Sequence, residues 1–293
     1  MPEPVTIAIA FDKPRQSNRA TQLAEQLALP LAQRLADPHD LHLCVAHVAP
    51  DQPDRLELRL NPHPRKQSAP ANPKAHGYTA GARVRLNPGK PVYPNPQSLD
   101  TTSPAGRKLN APLFKAVGVR KGDPARPRVL DATAGFGEDA WLLAAAGCPV
   151  TAYERHPVVH ALLEDALGRA KETHPEIATR ITLCLADLLT PAGQKPEPQI
   201  PTPGVVYLDP MFPPGRKTAE KKPMRLLRMI VGNNDDADAL LDHALRLLSC
   251  GNGGRVVVKR PRHAPPLSGR TPVHSHGAKA LRYDVYAAIE RPC

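Results

Sequence analysis

Apolar residues recur with two different periods along this chain, and the places where the period changes mark its organisation. Near the start, Val5–Phe11 (VTIAIAF) is a run apolar at every position but Thr6, and it predicts a strand. Ser17 or Asn18 is placed to cap a helix reaching about Leu35, with Leu23, Leu27 and Leu31 every four residues. Leu43–Val48 and Leu56–Leu60 predict two further strands, giving a small α+β unit. Periodicity then fades from Asn61 to Pro104, a proline-rich stretch with one short predicted strand at Ala82–Leu86. The chain therefore divides into a small N-terminal domain over 1–104, with its irregular segment at 61–104, and a larger domain over 105–293.

In the larger domain, strand and helix patterns alternate. Val129-Leu130 leads into Asp131, Trp141–Ala146 predicts a helix closed by Gly147, and Val150–Tyr153 is the next strand. Pro157 suits the first turn of a helix in which Val159, Leu162, Leu163, Ala166, Leu167 and Ala170 share one face. Ile181–Leu185, Val205–Leu208 and Arg255–Lys259 supply more strands, and Asp284–Ile289 closes the set. Between Leu208 and Arg255 the helical spacing returns at Ala237, Leu240, Leu241, Ala244, Leu245 and Leu248. Strands separated by helices imply right-handed crossovers and a parallel sheet. The predicted class is α/β, a doubly wound Rossmann-like sheet beside a small α+β N-terminal domain.

Composition narrows the functional classes. Lys and Arg number 39 against 28 Asp and Glu, a formal charge of +11 that favours an anionic partner. No apolar run is long enough to span a membrane. Met1-Pro2-Glu3-Pro4 carries no basic stretch of the kind that opens a signal peptide. The five cysteines are dispersed and never form a C-x-x-C pair, which fits reduced thiols in a cytoplasmic protein and argues against a zinc site.

Chemistry is expected where an open α/β sheet binds its ligands, beyond the carboxyl ends of the strands. Four predicted strands deliver an acid there: Asp131, Glu154, Asp187 and Asp209. Asp131 runs into a glycine turn with Gly135 and Gly137, followed by Glu138 and Asp139. Glu154 comes 17 residues after Gly137, the place of an acid that bonds ribose hydroxyls. That arrangement serves a nicotinamide dinucleotide or S-adenosylmethionine. Acids in the first helical turn suit the helix dipole but repel a pyrophosphate, which tilts the choice towards the sulfonium cofactor.

The strand Val205–Leu208 ends in Asp209-Pro210-Met211-Phe212, which resembles the [DN]-P-P-[FY] signature of methyltransferases acting on exocyclic base amines. Such an amine is a poor nucleophile because its lone pair is delocalised into the ring. The Asp209 carboxylate and Pro210 carbonyl can accept its N–H bonds, and Phe212 can stack on the base. Basic residues follow: Arg216, Lys217, Lys221, Lys222 and Arg225, then Lys259 and Arg260 in a cluster surrounding the next strand. These are expected to meet RNA phosphates. Only 4% of residues are aromatic, which favours recognition of a structured RNA over stacking on long single strands.

Over Lys115–Ala287 the chain resembles the ribosomal RNA small subunit methyltransferase J family. The resemblance is carried by KAVGVRKG, VLDATAGFGEDAWLLAAAGCPV, YERHPVVHALLEDAL, VVYLDPMFP, KKPMRLLRMIVG, DADALLDHAL, RVVVKRPRHAPPL and RYDVY. It implies a class I methyltransferase sheet and S-adenosylmethionine-dependent methylation of a guanosine N2 near the 3′ end of 16S rRNA, without a metal. It also implies cofactor contacts at Glu138, Asp139, Glu154, Arg155, Asp187, Leu188 and Asp209. The sequence departs from the family pattern at Glu138, where arginine is common, and at Asp187, where serine is usual. Other readings of the same residues are an amino-methyltransferase of DNA or tRNA, a nicotinamide-dependent oxidoreductase, and an RNA-binding module without activity.

Overall fold

The structure is a computed structural model that describes residues 5–32, 40–48, 53–60, 90–190, 201–211, 221–232, 236–249 and 254–288. The expected strand at 82–86, and Phe212, Arg216 and Lys217, lie outside the described residues. The chain divides into two compact units, one of residues 1–93 with 222–230, the other of residues 94–221 with 231–293. The sequence pattern places a boundary at 104 and does not foresee that a segment beyond residue 220 groups with the N-terminal unit.

In the first unit, β1 (Ile7–Phe11) pairs in parallel with β2 (Leu41–Ala46), which pairs antiparallel with β3 (Arg55–Leu60). Between β1 and β2 runs α1 (Ser17–Leu27), shorter than the helix expected to Leu35. Ala28 adopts a left-handed conformation (φ 51°), its amide capping the carbonyls of Ala24 and Glu25, and Pro30 bars continuation. Leu31 then bridges Ile9 in extended conformation, so its place in the four-residue series is coincidental. Glu57 is buried between Arg55 and Arg59, and Arg59 forks onto Asp12 at 2.6 and 2.8 Å. That fork is the geometry a guanidinium offers a carboxylate, and it holds Asp12 below the usual carboxylate range.

The second unit opens with α2 (Pro104–Val117), capped by the Ser103 hydroxyl and ended by left-handed Gly118. The sequence pattern does not predict α2, because Pro112 sits inside it. There follow β4 (Val129–Asp131), α3 (Glu138–Ala145), β5 (Val150–Glu154), α4 (Pro157–Thr173), α5 (Pro175–Ala178), β6 (Ile181–Leu185) and β7 (Val205–Leu208). The helix α6 (Lys222–Val231) belongs almost wholly to the first unit. Then come α7 (Ala237–Ser249), β8 (Gly254–Pro261), β9 (His274–Gly277) and β10 (Leu281–Ala288). The β9 strand, HSHG, carries no apolar alternation, so the sequence pattern does not predict it.

These seven strands form one sheet in the order β6-β5-β4-β7-β8-β10-β9. Neighbours from β6 to β8 are parallel, while β10 runs antiparallel to both β8 and β9. The doubly wound class expected from the sequence is present. Val129, Val205, Tyr207 and Val257 face one core with Trp141, Leu163 and Leu113. Leu130, Val206, Leu208, Val256 and Val258 face the other with Leu240, Leu241 and Leu248 of α7. Because both faces are covered, these strands read as unbroken apolar runs rather than alternating ones. The order reverses at β4, and the crevice between β4 and β7 is where such a sheet receives a ligand. No helix among the described residues is long and apolar enough to cross a membrane.

Candidate active site

All four strand-end acids lie on the carboxyl rim of the second unit's sheet, as the sequence predicts, but in different states. Asp131 is 1% exposed, and its Oδ1 accepts the Thr133 amide at 3.1 Å. Burial, reinforced by the nearby Asp139 and Asp209 charges, pushes its carboxyl up to about 8. The folded protein thus holds a proton that the unfolded chain releases near pH 4. Stability contributed by this group is full below that pH and is lost as pH rises towards 8, by up to about 1.4 kcal/mol per pH unit. Asp131→Asn should flatten that fall, measured by denaturant melts at about pH 5 and 7.5. Parallel losses in variant and wild type would show that the acid is ionised.

The glycine turn is built by its neighbours. Gly137 has φ 76° and caps α3, and the amide of Ala134 donates to the Tyr153 carbonyl at 3.0 Å. A Cβ at Gly137 would stand 2.5 Å from Leu163 Cδ1, so the turn requires glycine on two counts. Glu154, 6% exposed, accepts the Gly135 amide on Oε2 at 3.0 Å and the His156 amide on Oε1 at 2.7 Å. Burial raises its carboxyl above the ordinary value against the pull of those two amides. Glu154 therefore locks the glycine turn to the end of β5.

Beyond β5 and β6 an open cavity of about 340 Å³ is lined by Arg155, His156, Leu185, Ala186, Asp187, Thr190 and Val231. Arg155 pairs with Asp236 and lies 3.8 Å from Asp187, whose Oδ1 accepts the Leu189 amide at 3.0 Å. Leu188 is buried beside this loop, in the core under α7. A larger cavity, about 530 Å³, opens among Gly118, Arg126, Gly204 and Gly254, at the amino ends of β4, β7 and β8, away from the acids.

At the sheet centre, the Asp209 amide donates to Thr133 Oγ1 at 2.7 Å, tying the end of β7 to the β4 turn. Pro210 is buried directly after it. Asp139, in the first turn of α3, receives the Tyr207 hydroxyl at 2.6 Å and the Lys259 ammonium at 2.7 Å, both on Oδ2. The same ammonium lies 2.9 Å from Asp209 Oδ2. Glu138 is exposed.

Two expectations about phosphate contacts are corrected here. Lys259 is not a surface cation; it is committed to two carboxylates in the site. Arg260 points to the other face of β8, is 6% exposed, and donates to the Pro265 carbonyl. Successive residues on a strand face opposite ways, and both faces of this one are covered. Of the expected basic residues, Lys221 and Arg225 are exposed, and Lys222, half-buried, donates to the Lys90 carbonyl. Sequence reasoning assigned no part in the site to Thr133, Tyr207 or Asp236. The signal for Tyr207 was a hydroxyl-bearing residue inside an otherwise aliphatic core strand.

The donor set fits S-adenosylmethionine. Even with Asp131 protonated, the rim acids outnumber the two cations placed among them, Lys259 and Arg155, which suits a positively charged ligand and opposes a pyrophosphate. Glu154 and Asp187 stand at the ends of adjacent strands, where a nucleoside would lie across them. Among the described residues, no group of three His, Cys, Asp or Glu side chains could hold a metal ion.

Residues 99–288 match the family model described as "Putative SAM-dependent methyltransferase". The ribosomal RNA small subunit methyltransferase J of Edwardsiella ictaluri is 39% identical over 263 residues, covering 88% of this chain and 92% of that protein. The enzymes of that name from Pseudomonas fluorescens (strain Pf0-1) and Pseudomonas paraeruginosa are 48% and 51% identical. Those two matches cover 59% of this chain and only 65% and 64% of the relatives' lengths. Among solved structures, a SAM-dependent methyltransferase from Neisseria gonorrhoeae aligns over 97% of this chain and 98% of its own. Its TM-score is 0.60 at 27% identity. By sequence, the chain belongs to the ribosomal RNA small subunit methyltransferase J family.

Proposed function

We propose that this protein transfers a methyl group from S-adenosylmethionine to the exocyclic N2 of a guanosine in 16S rRNA, acting in the cytoplasm on the RNA or the small ribosomal subunit. The observation that carries the reading is the Asp209-Pro210 turn, held at the switch point by Thr133 and flanked by the acid rim. Family membership supports a sulfonium donor over a nicotinamide dinucleotide, as does the charge of the rim.

Bound S-adenosylmethionine would supply an electrophilic methyl group on a positively charged sulfur. Glu154 would accept the ribose hydroxyls, and Arg155, Asp187 and Leu188 would enclose the adenine end. Gly135 and Gly137 would let the main chain approach, with Glu138 and Asp139 facing the cationic part electrostatically, while the buried, protonated Asp131 would shape the turn through the Thr133 amide. Asp209 and the Pro210 carbonyl would accept the two N2–H bonds of the guanine, turning its lone pair towards the methyl carbon. As N2 takes up the methyl group it would lose one proton, which Asp209 would accept and pass to water. Phe212 would stack on the base, while Arg216, Lys217, Lys221, Lys222 and Arg225 would hold phosphates. Lys259 and Arg260, with their internal partners, leave that group.

The test is methyl transfer from a labelled donor to 16S rRNA, assembled small subunits, tRNA and DNA, with mass mapping of the product. Label confined to one guanosine N2 of 16S rRNA is the expected result. Label only in tRNA or DNA, or thermal stabilisation by NAD without any by S-adenosylhomocysteine, would overturn the reading.

A further inference from the structure

We propose that Lys259 is a positioning residue for the transfer, its ammonium clamped between Asp139 and Asp209 so as to fix the orientation and the negative charge of Asp209. This deepens the function proposed above and rests on it. The geometry starts from sheet register. Leu208 of β7 pairs with Val258 of β8, so Asp209 and Lys259 each stand one residue further along neighbouring parallel strands. Residues at matching positions of a parallel pair project to the same face, and both side chains here project towards α3. Asp139 stands on that helix, and its Oδ2 receives the ammonium at 2.7 Å while Asp209 Oδ2 lies 2.9 Å away.

The clamp is itself held in place. Tyr207, on β7, donates its hydroxyl to the same Asp139 oxygen at 2.6 Å. Tyr283 of β10 is the cross-strand partner of Lys259, on the flank of β8 away from β7. The lysine side chain is 20% exposed, and those of Asp139 and Asp209 are 15% and 32% exposed. An ammonium so enclosed, with two bonds at short range, has little freedom to move to an RNA phosphate.

The charge balance gives the clamp its purpose. Groups facing Asp209 are Glu138 and Asp139 from α3, Asp131 from β4, Tyr207 on its own strand, Lys259 from β8 and Tyr283 from β10. Three of these are carboxyls and one is a cation. Enclosure and the like charges push Asp209 towards its protonated form, and Lys259 is the strongest influence in the opposite direction. Burial acts against the ammonium too, yet the two carboxylates hold Lys259 well above the ordinary lysine value. A protonated Asp209 would offer an O–H to the incoming amine instead of accepting from it. Lys259 takes Oδ2 and leaves the carboxylate anchored at one end, so its other oxygen is presented in a defined direction.

The experiment compares wild type with Lys259→Met and Lys259→Arg in the full chain. The Asp209 carboxyl is followed through pH by carbon NMR, its signal assigned by loss in Asp209→Asn. Lys259→Met should move the Asp209 midpoint up on the order of one pH unit or more. On the acid limb, below the Asp209 midpoint, its kcat should fall roughly tenfold and recover as the pH is raised, since one unit is a factor of ten there. Lys259→Arg, which keeps the charge, should restore both the midpoint and the acid limb of the rate profile. An unmoved midpoint in a folded Lys259→Met protein would overturn the proposal. So would a kcat loss equal at every pH that arginine does not rescue, the signature of a purely structural bridge. If wild type methylates no RNA, the midpoint measurement still decides the clamp, and the failure belongs to the proposed function.

Discussion

Asp209→Asn is expected to lower single-turnover methyl transfer on the order of 10³-fold while leaving RNA affinity within a few-fold of wild type. The substitution keeps the volume and the main-chain bond from the Asp209 amide to Thr133 Oγ1, so the turn survives. What it removes is the negative charge that pairs with Lys259 and could take a proton from N2, while the amide oxygen can still accept an N–H bond. Quench-flow measurement with saturating donor and RNA separates chemistry from binding. The proposed role fails if turnover is unchanged, or if RNA binding is lost in step with it. Asp209→Ala should behave alike for chemistry but lose some stability as well, since Lys259 then has Asp139 alone.

Gly137→Ala is expected to cost roughly 2–4 kcal/mol, combining left-handed backbone strain with overpacking of a core leucine. The residue sits at φ 76°, and its added Cβ would meet Leu163 Cδ1 at 2.5 Å in the core that also holds Trp141. In a unit of this size the melting temperature should drop by roughly 5–15 °C. Gly168→Ala is the control, since that glycine is exposed within α4 and an added Cβ meets nothing within 4 Å. There the better helix propensity of alanine should stabilise by up to about 1 kcal/mol. Comparable losses at both sites would show that the glycine turn is not the constrained element described here.

Much of the α/β unit was legible because its signals are local. Ile181–Leu185 and Val205–Leu208 appear with the bounds their apolar runs suggest, and Pro157 opens α4 where a first-turn proline belongs. A run of four or five apolar residues between turn signals has few alternatives once both sheet faces must be covered. The missed elements lack such signals. Pro112 obscures α2, and β9 is polar because it lies at the sheet edge. The helix α1 stops early because one left-handed alanine and one proline outweigh a repeat of leucines.

What the sequence determined by itself was the order of strands and helices, the glycine turn, and an acid after each of four strands. Each depends on residues within a few positions of one another, where backbone preference and periodicity decide. Tertiary structure alone decided the state of those acids: Asp131 buried and raised, Glu154 oriented by one backbone amide on each oxygen, Asp187 near Arg155, and Asp209 paired with Lys259. It also withdrew Lys259 and Arg260 from the RNA-facing charges. A charge acts through its distance to other charges and to water, and residues 209 and 259 become neighbours only when β7 and β8 pair.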